Sequence, residues 1–250
     1  RWRQVALVTG AASGIGKACV EEFVEKGACV IALDINADIN ELFNSPQVLG
    51  VVCDVTDIDA VTSAIHAGIA AFGGLDMLVS NAGSFTPSAT IEEMGDEHWQ
   101  QSLELNLTSH MKLLRAAIPF LKLGLDPAIV IIASKNVPAP GPGAGAYSAA
   151  KAGLTQMARV AALELGSDGI RVNVLHPNAV FDTGVWDDET LKQRAAHYGM
   201  SVEEYKQNNV LGKEVSSRDV AILARLFASN ETSCTTGAQV PVDGGNERVI

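Results

Sequence analysis

Tyr147-Ser148-Ala149-Ala150-Lys151 sets a phenol and an ammonium four residues apart, on one face of a helix. A free tyrosine ionises at about 10, too high for a base at neutral pH, and a neighbouring ammonium lowers that value by stabilising the phenolate. Such a pair exchanges a proton with a carbonyl or hydroxyl oxygen while a hydride moves. Tyr-x-x-x-Lys is common and selects nothing by itself. Here Ser134 lies thirteen residues upstream, at the end of an apolar run over 128–133, and a glycine-rich loop stands near the N-terminus.

That loop is where a hydride carrier would sit. Residues 5–8 read as a buried strand, Thr9-Gly10-Ala11-Ala12-Ser13-Gly14-Ile15-Gly16 as a glycine-punctuated turn, and 15–26 as a helix. Strand, glycine turn and helix form the context of a dinucleotide-binding motif. In that motif Gly10 permits the tight turn, Gly14 the approach of backbone to pyrophosphate, and Gly16 the packing of helix on strand. The helix N-terminus offers free N–H groups to the phosphates. A second apolar run, 28–33, ends at Asp34, eighteen residues beyond Gly16, where an acid accepts hydrogen bonds from the adenosine ribose. Its carboxylate repels a 2′-phosphate, and none of Ala11, Ala12, Ser13, Ile35 or Asn36 is basic, which favours NAD over NADP. The competing readings are an ordinary strand-to-helix turn and a capping acid at a strand end.

The elements that carry these residues alternate along the chain. Residues 48–52 read as a strand running into Cys53-Asp54-Val55-Thr56, where Asp54 is a candidate cap for a helix over 57–72. Val61, Ile65, Ile69 and Phe72 follow helical spacing there, with His66 on the outer surface. A strand over 75–79 leads into Ser80-Asn81-Ala82-Gly83, small enough to pass close beneath a cofactor. A helix over 97–107 holds Asn106 and continues to 121, with Pro119 near its end as a kink or late turn. Tyr147 opens an alanine-rich helix over 147–166, and 170–175 and 237–242 complete the strands. The alternation predicts a single-domain α/β fold over 1–250: a Rossmann-type, doubly wound, parallel seven-stranded sheet with helices on both faces and no internal repeat.

Charge and composition narrow the partners. Lys and Arg number 18 against 29 Asp and Glu, a net charge of −11, which opposes nonspecific nucleic-acid binding. Although 47% of the residues are hydrophobic, no run approaches the roughly 20 apolar residues of a membrane span. Cys19, Cys29, Cys53 and Cys234 have no metal-ligand spacing and read as reduced core residues of a cytoplasmic protein. No metal site is expected.

The glycine loop, Ser134, Tyr147 and Lys151 together resemble the cofactor and catalytic set of the short-chain dehydrogenases/reductases, over essentially the whole chain. The resemblance implies that Tyr147 is the acid/base and that Ser134 donates a hydrogen bond to the substrate oxygen. It further implies that Lys151 lowers the tyrosine pKa and holds the nicotinamide ribose, and that Asn106 holds a water linking Lys151 to solvent. For the cofactor it assigns Gly10, Ser13, Gly14, Ile15 and Gly16 to the pyrophosphate and Asp34 to the ribose. Asp54 and Val55 go to the adenine, Asn81, Ala82 and Gly83 to the adenosine side, and Pro177, Asn178 and Val180 to the nicotinamide, beside Tyr147 and Lys151. The family usually has Pro-Gly where this chain has Pro177-Asn178; Asn also adopts the left-handed conformation, so nicotinamide binding by this loop is expected in altered form. Family members commonly form tetramers, here through helices at about 103–121 and 147–166, so a homotetramer or dimer is expected.

Three stretches are more specific: Ser134-Lys135-Asn136-Val137-Pro138, the run from His176 to Gly184, and the run from Asp243 to Ile250. They resemble the dehydrogenase portion of bifunctional rhamnulose-1-phosphate aldolase/lactaldehyde (alcohol) dehydrogenases. A start at Arg1, directly before the first strand, fits a domain cut from such a chain with a covalently linked aldolase domain. The resemblance implies oxidation of a small hydroxyaldehyde such as lactaldehyde. The alternatives are oxidation of a secondary alcohol on a sugar or polyol, and a module that binds the nicotinamide cofactor without turnover. Residues 183–215 are expected to form a substrate lid, with a short helix starting near the capping box Ser201-Val202-Glu203-Glu204. Trp186, His197, Tyr198, Tyr205, Asn208 and Asn209, together with Lys135 and Asn136, are the candidates to line the pocket.

Overall fold

The computed structural model describes residues 4–85, 87–184 and 186–246. Arg1, Val185 of the expected lid and residues 247–250 of the C-terminal stretch lie outside the described residues. Within them a single sheet runs β3-β2-β1-β4-β5-β6-β7, every neighbouring pair parallel. Its strands are β1 (Val5–Thr9), β2 (Cys29–Asp34), β3 (Val48–Val52), β4 (Met77–Ser80), β5 (Ala128–Ile132), β6 (Arg171–Pro177) and β7 (Gln239–Val242). The helices are α1 (Gly14–Glu25), α2 (Ile39–Leu42), α3 (Ile58–Phe72), α4 (Asp96–Leu103), α5 (Ser109–Leu121), α6 (Gly145–Leu165), α7 (Asp188–His197), α8 (Val202–Lys206) and α9 (Ser217–Ala228).

The strands are apolar on both faces because both faces are covered. In β1 the side chains alternate: Val5 and Leu7 enter a core with α3, α5 and α6, while Ala6 and Val8 enter one with α1 and α9. The chain winds from β1 outward to β3, then returns to β4 beside β1 and winds the other way. The crevice beyond the ends of β1 and β4 is therefore the topological switch point, where ligands bind in open α/β sheets.

Four local readings change. Asp57, not Asp54, caps α3, accepting the Asp59 and Ala60 amides at 2.9 and 3.3 Å; Asp54 instead folds onto Thr56, accepting its amide at 2.9 Å and its hydroxyl at 2.7 Å. The helix read as continuous from 97 to 121 is broken by a π turn at Glu104–Thr108. A short α2 follows β2. Cys19 and Cys53 are buried and Cys29 half-buried, but Cys234 is exposed, so only part of the cysteine set belongs to the core.

Candidate active site

At the switch point, β1 and β4 are tied by side chains. The Thr9 hydroxyl accepts the Asn81 and Ala82 amides, each at 3.0 Å, and Asn81 Nδ2 donates to the Thr9 carbonyl at 2.9 Å. Gly10 turns there with φ +66°, and a Cβ on Gly16 would lie 1.9 Å from the Gly10 carbonyl oxygen. Any side chain at Gly16 would push α1 away from the turn, so this glycine acts through packing and does not itself line the cleft. Asp34, at the end of β2, accepts the amides of Ala12 and Asn36, each at 2.9 Å. A carboxylate has about four acceptor positions, so Asp34 keeps capacity for ribose hydroxyls. Ser13, Gly14, Ile15, Asp54, Val55, Asn81, Ala82 and Gly83 line the same cleft.

The cleft, about 1560 Å³ in all, continues to Ser134, Tyr147 and Lys151. Ser134 follows β5; its hydroxyl accepts the Asn136 amide at 3.1 Å, and His176 Nδ1 meets its carbonyl at 2.9 Å. Tyr147 stands in the first turn of α6, with the Ser134 hydroxyl close enough to hydrogen-bond the phenol. Lys151 is buried one turn on: its Nζ donates to the Ile132 carbonyl at 3.1 Å and lies 5.9 Å from the centre of the Tyr147 ring.

Asn106 reaches this group from the π turn. Its Nδ2 donates to the Ser84 carbonyl at 3.0 Å and its Oδ1 accepts the Ser84 amide at 3.2 Å. The side chain thus grips the loop after β4, and its Nδ2 also reaches the Ser102 hydroxyl one turn earlier at 3.4 Å. A Cβ on Gly83 would sit 2.7 Å from Asn106 Oδ1 and 3.3 Å from Lys151 Nζ, so only glycine lets the loop pass between them. One turn beyond Asn106, buried His110 contacts the Ser80 hydroxyl through Nδ1 at 2.6 Å.

Burial sets the charges. It pushes the Lys151 ammonium down to about 8. It holds His110 well below the ordinary histidine value, with the Lys151 charge adding to the effect. It also raises the Tyr147 phenol, which the Ser134 hydrogen bond partly offsets. The lowering of Tyr147 expected from the i, i+4 spacing is therefore not what this environment produces: desolvation of the phenolate outweighs the hydrogen bond from Ser134.

Beyond β6 the structure departs from the reading of Pro177-Asn178. The left-handed residue is Ala179, at φ +54°, not Asn178. Asn178 instead donates through Nδ2 to Asn246 Oδ1 at 2.7 Å, and Asn246 Nδ2 donates to the Asn208 carbonyl. Pro177, Asn178 and Val180 all line the cleft. So do Lys135, Asn136, Trp186, Tyr198, Tyr205 and Asn208 among the lid and loop candidates, whereas His197 and Asn209 do not. Asn209 holds its own turn through the Lys213 carbonyl at 2.6 Å. The sequence reading missed Thr9, His110, Ala179, Arg194 and Asn246. A hydroxyl ending a buried strand was a signal for Thr9, and α-helical spacing from Asn106 was one for His110. The others depend on packing between distant segments. Among the described residues no cluster of His, Cys, Asp and Glu gathers as a metal site, and no helix is long and apolar enough to cross a membrane.

A family model described as Enoyl-(Acyl carrier protein) reductase matches residues 10–247. The chain is 34% identical over 257 residues to the uncharacterized oxidoreductase YuxG of Bacillus subtilis (strain 168), covering 97% of this chain but 37% of that protein. It is 33% identical over 253 residues to the uncharacterized short-chain type dehydrogenase/reductase y4mP of Sinorhizobium fredii, covering 97% of this chain and 96% of that protein. Carveol dehydrogenase from Mycobacterium avium, solved in complex with NAD, superposes with a TM-score of 0.88 at 28% identity, covering 98% of each chain. The glycine loop, the Ser134–Tyr147–Lys151 group and these likenesses agree: the chain belongs to the short-chain dehydrogenase/reductase family of oxidoreductases.

Proposed function

We propose that the protein is an NAD-dependent dehydrogenase that oxidises a small hydroxyaldehyde of the lactaldehyde kind, taken as its hydrate, or a small alcohol. The observation that carries this reading is the single cleft with Asp34 at one end and Ser134, Tyr147 and Lys151 at the other. A dinucleotide fits the donors and acceptors along it. Asp34 would hold the adenosine ribose, Asp54 and Val55 the adenine, and the Asn81-Ala82-Gly83 turn the adenosine side. The turn at Gly10, Ser13, Gly14 and Ile15 would hold the phosphates at the start of α1. Pro177, Asn178 and Val180 would face the nicotinamide, and Tyr147 and Lys151 its ribose. The carboxylate of Asp34, with no basic residue beside it, selects NAD over NADP.

NAD, when bound, accepts the hydride that leaves the substrate carbon. Ser134 holds the substrate oxygen by donating a hydrogen bond, and Tyr147 takes the hydroxyl proton. For an aldehyde the hydrate presents two hydroxyls on the reacting carbon; Tyr147 deprotonates one, and the product is the acid. Lys151 supplies positive charge beneath the phenolate, while Asn106 holds the loop at Ser84 through which a water-linked proton path to solvent would run. Oxidation therefore speeds up as pH rises, because the working form of Tyr147 is the ionised one. A panel of small aldehydes, sugars and polyols, with their carboxylate and phosphate derivatives, and NAD, followed by NADH absorbance, tests the reading; no turnover of any member would leave only a nicotinamide-binding module.

The polar lining next to Ser134, from Lys135 and Asn136, favours a second reading, in which the substrate is a sugar or polyol oxidised at a secondary alcohol. The same panel separates the two. The 37% share of YuxG that the chain spans is the relation expected of a domain joined to a partner such as an aldolase. A cytoplasmic setting is supported by four free cysteines. Met111, Val160 and Leu163 are exposed on the outer faces of α5 and α6, which supports a homotetramer or dimer through these helices; a monomer by light scattering at micromolar concentration would contradict it.

A further inference from the structure

The charged residues lining the cleft are sorted by sign. Asp34, Asp54 and Glu104 are the acids, and Lys135, Lys151 and Arg194 are the cations. The acids lie at the adenosine end: Asp34 and Asp54 follow β2 and β3. Glu104 is tied to the same loop by Lys112, whose Nζ is 2.6 Å from Glu104 Oε1 and 2.8 Å from the Thr56 carbonyl. Lys135 and Lys151 flank Ser134 and Tyr147, and among the described residues no acid lines that end of the cleft.

Arg194 comes from the lid. Thr190 and Arg194 of α7, with Trp186 before it and Tyr198 after it, all line the cleft; Leu191 and Ala195 are the buried side of the helix, and Arg194 and Tyr198 are exposed at the cleft's rim. The guanidinium has no ion pair or hydrogen bond among the described residues. Its helical neighbours three and four residues away are Thr190, Leu191, His197 and Tyr198, none of them acidic. Of the three acids at the start of α7, Asp187 caps the helix through the Thr190 amide at 2.7 Å, and Glu189 accepts from Gln193 at 2.9 Å. The lid meets the phosphate loop earlier, at Thr183, whose methyl would touch a Cβ on Gly14 at 3.1 Å. Arg194 stands on the second turn of α7, well past that point. An uncommitted guanidinium at the rim of a cleft is suited to bidentate recognition of a carboxylate or phosphate.

We propose that Arg194 makes the substrate pocket selective for an anion: the oxidised alcohol or aldehyde carries a carboxylate or phosphate, which Arg194 holds while Ser134 and Tyr147 engage the reacting oxygen. The inference rests on the reading that the Ser134–Tyr147 end of the cleft is the substrate end. Calorimetry on the NAD-bound protein with glycerol, glycerate and glycerol 3-phosphate tests it, since the three share a carbon skeleton and differ in charge. At least one anion should bind about tenfold or more tighter than glycerol, and the stronger of the two decides between carboxylate and phosphate. Arg194→Ala should erase that preference without changing NAD affinity, and Arg194→Lys should keep part of it. Equal binding of glycerol and both anions, or a preference that survives Arg194→Ala, would overturn the assignment. Weaker NAD binding by Arg194→Ala would also overturn it, by placing the guanidinium on the dinucleotide phosphates. Tyr147→Phe separates the two readings: lost turnover with anion preference intact supports both, whereas unchanged turnover with that preference refutes only the acid/base role.

Discussion

The two ends of the cleft are built differently. At the adenosine end the chain's own backbone does most of the work. Thr9 and Asn81 lock β1 to β4, Asp34 is fixed by two amides, and Gly16 and Gly83 occupy positions where a Cβ would collide. At the other end the walls are side chains on α8 and on the segments that flank α7. Phe181, Trp186, Tyr198 and Tyr205 touch through their rings, with Phe181 and Trp186 centres 5.0 Å apart and Tyr198 stacked on Tyr205 at 5.8 Å. Arg194 waits there without a partner among the described residues, and Tyr198 is 56% exposed. A shape fixed by buried backbone suits a ligand that never varies. A wall of side chains on exposed segments can be altered without disturbing the sheet, and under the proposed function that is where a choice among substrates would lie.

The largest effect that separates the ends should come from Tyr147→Phe. The variant keeps the ring, including its contact with Phe85 at 4.9 Å, but loses the titrating group. Turnover should fall about 10²–10⁴-fold while NAD affinity is kept; turnover near that of the wild type would remove Tyr147 from the mechanism. Ser134→Ala should cost less, because it removes a hydrogen bond and not the proton acceptor.

Next in size is the adenosine end. Wild-type kcat/KM with NAD should exceed that with NADP by about one to three orders of magnitude, each tenfold step being worth about 1.4 kcal/mol. Asp34→Ala should narrow the gap without altering the order of preference among substrates. A shift in substrate preference would show that the two ends are coupled.

A smaller effect, in stability, follows from the burial of Lys151. Its pKa is lowered from 10.5 to about 8, so between those values the unfolded chain binds more protons than the folded one. Stability therefore rises with pH across that window, and the full cost of the buried charge is felt below it. The difference corresponds to about 3 kcal/mol, from which losing the bond to the Ile132 carbonyl subtracts about 1 kcal/mol. Lys151→Met should thus be more stable by about 2 kcal/mol in denaturant titrations at pH 7, with the advantage shrinking toward pH 10, while turnover is lost. A less stable variant at pH 7 would mean that the ammonium is better compensated than its burial suggests.

What the sequence disclosed follows the same division. The strands of the sheet are apolar runs, so the scaffold could be read directly; the glycine loop, Asp34 and the Ser134, Tyr147, Lys151 spacing are local patterns too, and the residues they single out line one cleft. The capping box at Ser201 was equally local, and the structure contains it. The π turn at Glu104–Thr108 was not legible, because no proline or glycine marks it and the widened turn goes with Asn106 reaching Ser84 across the loop. Asp54 and Asp57 are chemically alike, and only the backbone decides which one caps α3. The direction of the Tyr147 pKa depends on how much solvent the fold removes, which an i, i+4 spacing does not contain. Arg194 was invisible as a candidate because a lone arginine on a polar helix looks like any solvated residue until the cleft is seen on its inner side.

The smallest expected effect lies where the two ends meet. Ala179 holds a left-handed backbone directly after Asn178, a conformation costing a non-glycine residue about 1 kcal/mol or more. Asn178 is held by Asn246, and Asn246 in turn reaches the Asn208 carbonyl in the lid. The nicotinamide loop, the C-terminal segment and the lid are thereby joined through one amide side chain. Asn246→Ala removes both bonds but no group assigned to hydride or proton transfer. Each bond to an amide partner contributes on the order of 1 kcal/mol, much of which water recovers at this half-exposed position. KM for substrate should therefore rise a few-fold, with kcat and the NAD/NADP ratio close to wild type. Asn246→Gln, which restores the amide on a longer stem, should recover part of the loss. A large fall in kcat instead would mean that the C-terminal segment sets the geometry of the reacting groups, and the separation of a fixed cofactor end from an adjustable substrate end would fail at this joint.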